Sequence, residues 1–125
     1  MIDFRNGTFI KLKATGGFKN QALVEPLFIP GEVFISEYQG IRDFVIFTNK
    51  RVISTNVQVI TGKKKDFTSM PYSKITVFSV ETSGVLDLDS ELEMYFSGVG
   101  KVRFEFSGRS DIVEIGRLIG EFVMK

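Results

Sequence analysis

From Glu32 to Ser107 apolar and polar positions alternate with a period of two, the mark of strands that bury one face. Turn residues cut this stretch into seven predicted strands: Val33–Gln39, Arg42–Thr48, Arg51–Ile60, Lys65–Met70, Ile75–Thr82, Glu91–Ser97 and Lys101–Ser107. Gly40-Ile41, Asn49-Lys50, Thr61–Lys64 and Gly98-Val99-Gly100 supply tight turns between neighbours, and Pro71–Lys74 and Ser83-Gly84 are breaks. In the last hairpin Leu92, Met94 and Phe96 face the same way as Val102, Phe104 and Phe106. Glu91, Glu93 and Tyr95, with Lys101, Arg103 and Glu105, face the other way. One face is core and the other is wet.

The period then changes. Ile112, Ile115, Leu118, Ile119 and Phe122 recur at helical spacing. Ser110 or Asp111 can cap this helix, with Asp111 and Glu114 spaced as a capping box. Glu114, Arg117, Glu121 and Lys125 form an exposed stripe of alternating sign. Gly116 and Gly120 weaken the helix and point to close packing on the sheet. Residues 1–30 are the least regular part and are read as an N-terminal extension, with a short helix at Phe18–Glu25 stopped by Pro26. Pro30-Gly31 marks the junction with the main domain, 31–125.

Composition narrows the chemistry. The chain has 125 residues, enough for one domain with a real core. Its 13 phenylalanines suit strands and its 12 glycines suit turns. There is no cysteine, so disulfides and thiolate chemistry are excluded. There is no histidine, which removes the usual general base and the commonest metal ligand. A net charge of +1, from 16 basic and 15 acidic residues, argues against a dedicated nucleic-acid binder. The N-terminus carries charges where a signal peptide needs an apolar run, and no stretch approaches the ~18 apolar residues of a membrane span. The expected location is the cytoplasm.

Several blocks resemble the bacterial pleckstrin-homology domain family. They are Arg42–Ile53, Gly62-Lys63-Lys64, Met70-Pro71-Tyr72-Ser73-Lys74-Ile75, Phe78–Gly84 and Leu86–Leu92, in the family's order and spanning roughly 31–124. The fold read from the pattern is mainly β, a sandwich or barrel of seven antiparallel strands capped by a C-terminal helix. That is also the pleckstrin-homology layout. The resemblance implies members that assemble into symmetric rings, and it implies no particular ligand or reaction.

Candidate chemistry is sparse. Thr48-Asn49-Lys50-Arg51 reads as a structural turn. Lys63-Lys64-Lys65 is the only basic run. Successive hairpin turns alternate between sheet ends, so Arg42, Lys63, Lys64, Lys65 and Lys101 are expected to converge as a speculative anion site. Lys50 stands about 30 Å away at ~3.4 Å per residue. Phosphoinositide-binding relatives use a long basic loop between the first two strands, and here that connection is a tight turn. Asp87, Asp89, Glu91 and Glu93 lack the spacing of a calcium loop and read as an acidic face beside Arg103. Gly98-Val99-Gly100-Lys101 lacks the spacing of a phosphate loop.

No cofactor, metal site or catalytic residue is expected, and the chain is not expected to be an enzyme. The expected function is a binding and assembly module that forms a cyclic homo-oligomer and meets an unknown protein partner. Membrane binding is expected to be weak or absent, and no nucleic-acid binding is expected. The alternatives are anionic-lipid or anionic-ligand binding at the basic end, and peptide binding by strand addition.

Overall fold

The alternating segment folds into successive hairpins, because each strand carries an apolar face that only a second layer can hide. The computed structural model describes residues 9–57, 65–82, 89–108 and 111–124. Its strands are β1 (Phe9–Ala14), β2 (Phe34–Gln39), β3 (Asp43–Thr48), β4 (Arg51–Val57), β5 (Lys65–Pro71), β6 (Ile75–Glu81), β7 (Ser90–Phe96) and β8 (Gly100–Phe106). A short helix α1 (Gln21–Val24) and a 3-10 turn (Glu25–Leu27) lie between β1 and β2. A second 3-10 turn (Tyr72–Lys74) precedes β6, and helix α2 (Ile112–Val123) follows β8. The α-helical turn ends at Val24, ahead of Pro26, and the chain makes one further 3-10 turn through the proline.

The sheet order is β5-β4-β3-β2-β1-β8-β7-β6. Eight strands replace the seven expected, and the sheet is not wholly antiparallel. β1 pairs antiparallel with β2 (Lys13 with Gln39, Ala14 with Tyr38) and parallel with β8 (Phe9 with Phe104, Leu12 with Phe106). It lies inside the segment read as an extension and joins the two halves of the sheet. Alternation missed it for a physical reason. The buried side chains described in it, Phe9 and Leu12, are three apart, and the register shifts between them. Lys11, between them, has φ of 55°. A strand with a kink has no clean period of two.

Two cores result. The larger lies between the half-sheets: Tyr38, Val45, Phe47 and Val52 from one side meet Leu92, Met94, Val102 and Phe104 from the other. The smaller lies on the opposite face of the first half-sheet. There Phe44, Ile46 and Ile53 are covered by Val24, with Phe18, Phe28 and Phe34 packed around them. Phe18 stacks on Phe34 at 4.1 Å between ring centroids. β3 is consequently buried on both faces.

Helix α2 closes the sandwich. Ile112, Ile115 and Ile119 are buried, whereas Leu118 and Phe122 are only partly covered. The Phe122 ring stacks on buried Tyr72 at 5.4 Å. Gly116 permits the approach to β6, where a Cβ would stand 2.8 Å from Val80 Cγ2. The predicted capping box does not form. Asp111 occupies the N-cap position without a side-chain hydrogen bond, and Glu114 pairs with Arg117 instead.

Candidate functional site

The five basic residues expected at one end behave differently from one another. Lys63 and Lys64 lie outside the described residues. Asp43, Asn56 and Asp66 form one row across β3, β4 and β5, and Lys65 pairs with Val57 one position further along. Arg42, just before Asp43, therefore shares that sheet end with Lys65. Both are exposed. Lys101 is on the outer face of β8, where it pairs with Glu93 at 3.5 Å. Its charge is already opposed by a neighbour. Burial pushes the Asp43 carboxyl above the usual range, against the Arg42 and Asp43 backbone N–H groups that would lower it.

The acidic face on β7 is as expected where it is described, with Asp87 outside the described residues. Arg103 bridges Glu91, at 2.9 Å, and Glu105. This keeps two like charges, directly opposite in the β7–β8 register, from repelling without compensation. Gly98 and Gly100 both have positive φ, near 90° and 100°, and form the hairpin turn predicted for them.

The Thr48–Arg51 turn is a clamp. Arg51 donates Nε to Glu32 Oε2 (2.9 Å) and Nη2 to Glu32 Oε1 (2.8 Å). It also reaches the Leu27 carbonyl and Ser69 Oγ. Thr48 donates its hydroxyl to Glu32 Oε2 and accepts from the Lys50 and Arg51 N–H groups. Asn49 accepts from the Val33 N–H and donates to the Gly31 carbonyl. The Glu32 side chain has no solvent exposure. Burial alone would raise its pKa. The bonds from Arg51, Thr48 and the Ile29 N–H, with the Arg51 charge, outweigh burial and hold it below the ordinary carboxylate value. Tyr72 donates to the Thr48 carbonyl at 2.7 Å, and burial followed by the nearby Glu32 charge pushes its hydroxyl far above the usual range. Thr48, Asn49 and Arg51 thereby hold Leu27 and the 31–33 segment on the sheet.

A second carboxylate does the same for the segment after β1. Buried Glu37 accepts from the Thr15 hydroxyl, the Lys19 and Asn20 N–H groups and the Asn20 amide. Sequence reasoning missed Glu32 and Glu37. Both are single acids beside or within β2, and the partners that enclose them, Thr48 and Arg51 for Glu32 and Thr15, Lys19 and Asn20 for Glu37, are distant in sequence.

One concave surface is present beside β2. β1 pairs in register with β2 only at Tyr38 and Gln39, so the edge of the first half of β2 that faces away from β3 borders a cleft that helix α2 also lines. The cleft between them encloses about 300 Å³. Ile35, Tyr38, Ile115 and Leu118 give it an apolar floor, and Asp111, Glu114 and Glu121 give it an acidic rim with Arg117. Among the described residues no group of three or more acidic side chains is arranged to hold a metal ion.

The family model for the bacterial PH domain matches residues 3–123, which spans both half-sheets and α2. The chain belongs to this family. This bacterial PH domain is 39% identical over 100 residues to YjqA of Bacillus subtilis (strain 168), covering 78% of this chain and 80% of that protein. YozO of the same organism is 30% identical over 92 residues, covering 74% and 79%. Among solved structures, a DUF1696 family protein with a pleckstrin-homology domain from Shewanella loihica PV-4 superposes with a TM-score of 0.75 at 34% identity, covering 90% of this chain and 97% of that one. A pleckstrin homology domain from Shewanella amazonensis SB2B gives 0.64 at 32% identity, covering 96% and 94%. The pleckstrin-homology fold, mainly β with a C-terminal helix, is therefore shown. The family match begins at residue 3 and includes β1.

Proposed function

We propose that this bacterial PH domain is a non-catalytic assembly module that self-associates head to tail into a cyclic homo-oligomer and presents repeated surfaces to a protein partner. The observation that supports this reading is a set of large apolar side chains in solvent on unlike parts of the surface. Ile41 stands at the β2–β3 tip with 89% of its surface exposed. Val33 and Ile35 are exposed at the other end of β2, and Val77 and Tyr95 are register partners on the outer face of β6 and β7. Unlike apolar surfaces on one subunit favour a heterologous contact, in which one patch meets a different patch of the next subunit, and such contacts form a ring when the rotation between subunits closes. A formal charge of +1 opposes assembly very little.

Light scattering after size exclusion at micromolar concentration tests this. The expected mass is a multiple of the 14.1 kDa chain. A single 14.1 kDa species in moderate salt overturns it. The anion-binding alternative is weakened by the Lys101–Glu93 pair. Salt-resistant binding to vesicles of one phosphoinositide would favour that alternative.

A further inference from the structure

We infer that the β2–β3 hairpin tip of one subunit docks in the β2–α2 cleft of the next, with Ile41 entering the apolar floor and Arg42 meeting the acidic rim. The inference rests on the self-association proposed above and specifies the two surfaces that meet.

The tip is built to be offered. The turn is closed by the Gly40 N–H bonding to the Asp43 carbonyl at 2.8 Å, so its shape does not depend on the side chains of Ile41 and Arg42. Ile41 is the most exposed large apolar residue among those described. Its burial elsewhere would recover most of the transfer free energy of a whole aliphatic side chain. Arg42 is exposed beside it and has no ion-pair partner among the described residues. An apolar anchor next to a planar cation is the pairing that interface centres favour.

The cleft is complementary in both respects. Its volume of about 300 Å³ leaves room for an isoleucine side chain and part of a neighbour. Ile35, Ile115 and Leu118 line the floor. The rim carries Asp111, Glu114 and Glu121 against the single Arg117. Arg117 offsets Glu114 at 3.2 Å, and both are largely exposed, so this pair is weak and leaves the rim negative. A guanidinium arriving from another subunit therefore meets an excess of carboxylate.

Tip and cleft cannot meet within one chain. Ile35 and Ile41 are six residues apart along β2 and its turn, about 20 Å at ~3.3 Å per residue. A protrusion at one end of a strand and a recess at the other make a contact that propagates from copy to copy, as a ring requires. Ile35 and Val33 extend the apolar surface beside the recess.

The absence of cysteine makes the test direct. Ile41→Cys and Ile35→Cys are made as two separate proteins, mixed and oxidised. A disulfide-linked pair containing one of each is expected, with little linkage in either protein alone. In parallel, Ile41→Asp is expected to weaken self-association about thirtyfold or more and Arg42→Glu about tenfold or more. Both sites are exposed, so the variants should melt as the parent does, and circular dichroism verifies this. Partial recovery of Arg42→Glu by Glu114→Lys with Glu121→Lys would support the rim contact. Folded Ile41→Asp and Arg42→Glu variants that assemble like the parent overturn this docking mode and leave self-association standing. A monomeric parent overturns both.

Discussion

Replacing Arg51 with methionine isolates the energetics of the clamp. The substitution keeps an apolar stem of similar length and removes the guanidinium. The loss falls on Glu32, whose side chain is wholly enclosed and would keep only the Thr48 hydroxyl and the Ile29 N–H as donors. Stranding one partner of a buried pair costs about 3–5 kcal/mol. Two surviving donors place this case near the lower end, about 3 kcal/mol. The Leu27 carbonyl and Ser69 Oγ lose weaker partners nearer the surface. The pH dependence gives the sharper check. In the parent, Glu32 has a folded pKa below its unfolded value, so it stabilises the fold above the unfolded pKa, near 4.3, and that contribution fades as pH falls through the folded value. In Arg51→Met two of the influences that hold the Glu32 pKa down are removed while desolvation stays, so its stabilising contribution above the unfolded pKa shrinks. The variant should gain less stability than the parent as pH rises from 3.5 to 7. Urea melts at pH 3.5, 5 and 7 read both effects. The gap between parent and variant should be widest at pH 7 and narrow at pH 3.5. A gap under about 1 kcal/mol at pH 7, or one equally wide at all three values, would refute the assignment of Glu32 as a buried charge held by Arg51.

Gly116→Ala should cost about 1–3 kcal/mol, because its Cβ would press on Val80 Cγ2, whereas Gly120→Ala, 3.8 Å from Phe78, should be neutral or stabilising by up to ~1 kcal/mol. Equal thermal shifts for the two would show that α2 does not approach β6 at Gly116. Phe122→Ala should cost about 2–3 kcal/mol in urea, less than a fully enclosed ring, since it is only partly covered and stacks on Tyr72. Glu37→Ala should remove the acceptor for four hydrogen bonds and make the chain between Thr15 and Asn20 cut faster under limited proteolysis, and unchanged cleavage would count against its anchoring role.

The hairpins from β2 to β8 and the amphipathic helix were legible because their signals are local. Alternation, turn residues and helical spacing all act within a dozen positions. The role of Thr48–Arg51 as a turn was legible too, but its partner was not. Glu32 lies nearly twenty residues away and looks like any exposed acid at the start of a strand. Gly116 was read as a packing glycine, and Val80 supplies the surface it packs against. β1 was hidden by its kink, and its parallel partner by distance in sequence. The second core was hidden because Phe18, Val24 and Phe28 show no periodicity of their own. They are shaped by the sheet face they cover. The candidate cleft combines residues from β2 and from α2 that only the tertiary structure brings together.

The position of β1 bears on how the chain is made. It precedes β2 to β8 in chain order, yet it lies between β2 and β8, and Phe9 stands opposite Phe104. The meander from β2 to β5 joins neighbours in sequence and can pair early. The parallel edge of β1 must wait until β8 (Gly100–Phe106) has been synthesised. During that interval Phe9 and Leu12 have no β8 to cover them, and the nascent chain carries an unsealed seam. A nascent-chain series of increasing length should show protection of β1 appearing abruptly only when β8 has cleared the exit tunnel. The synthesis rate between β2 and β8 would then set how long this unsealed seam persists.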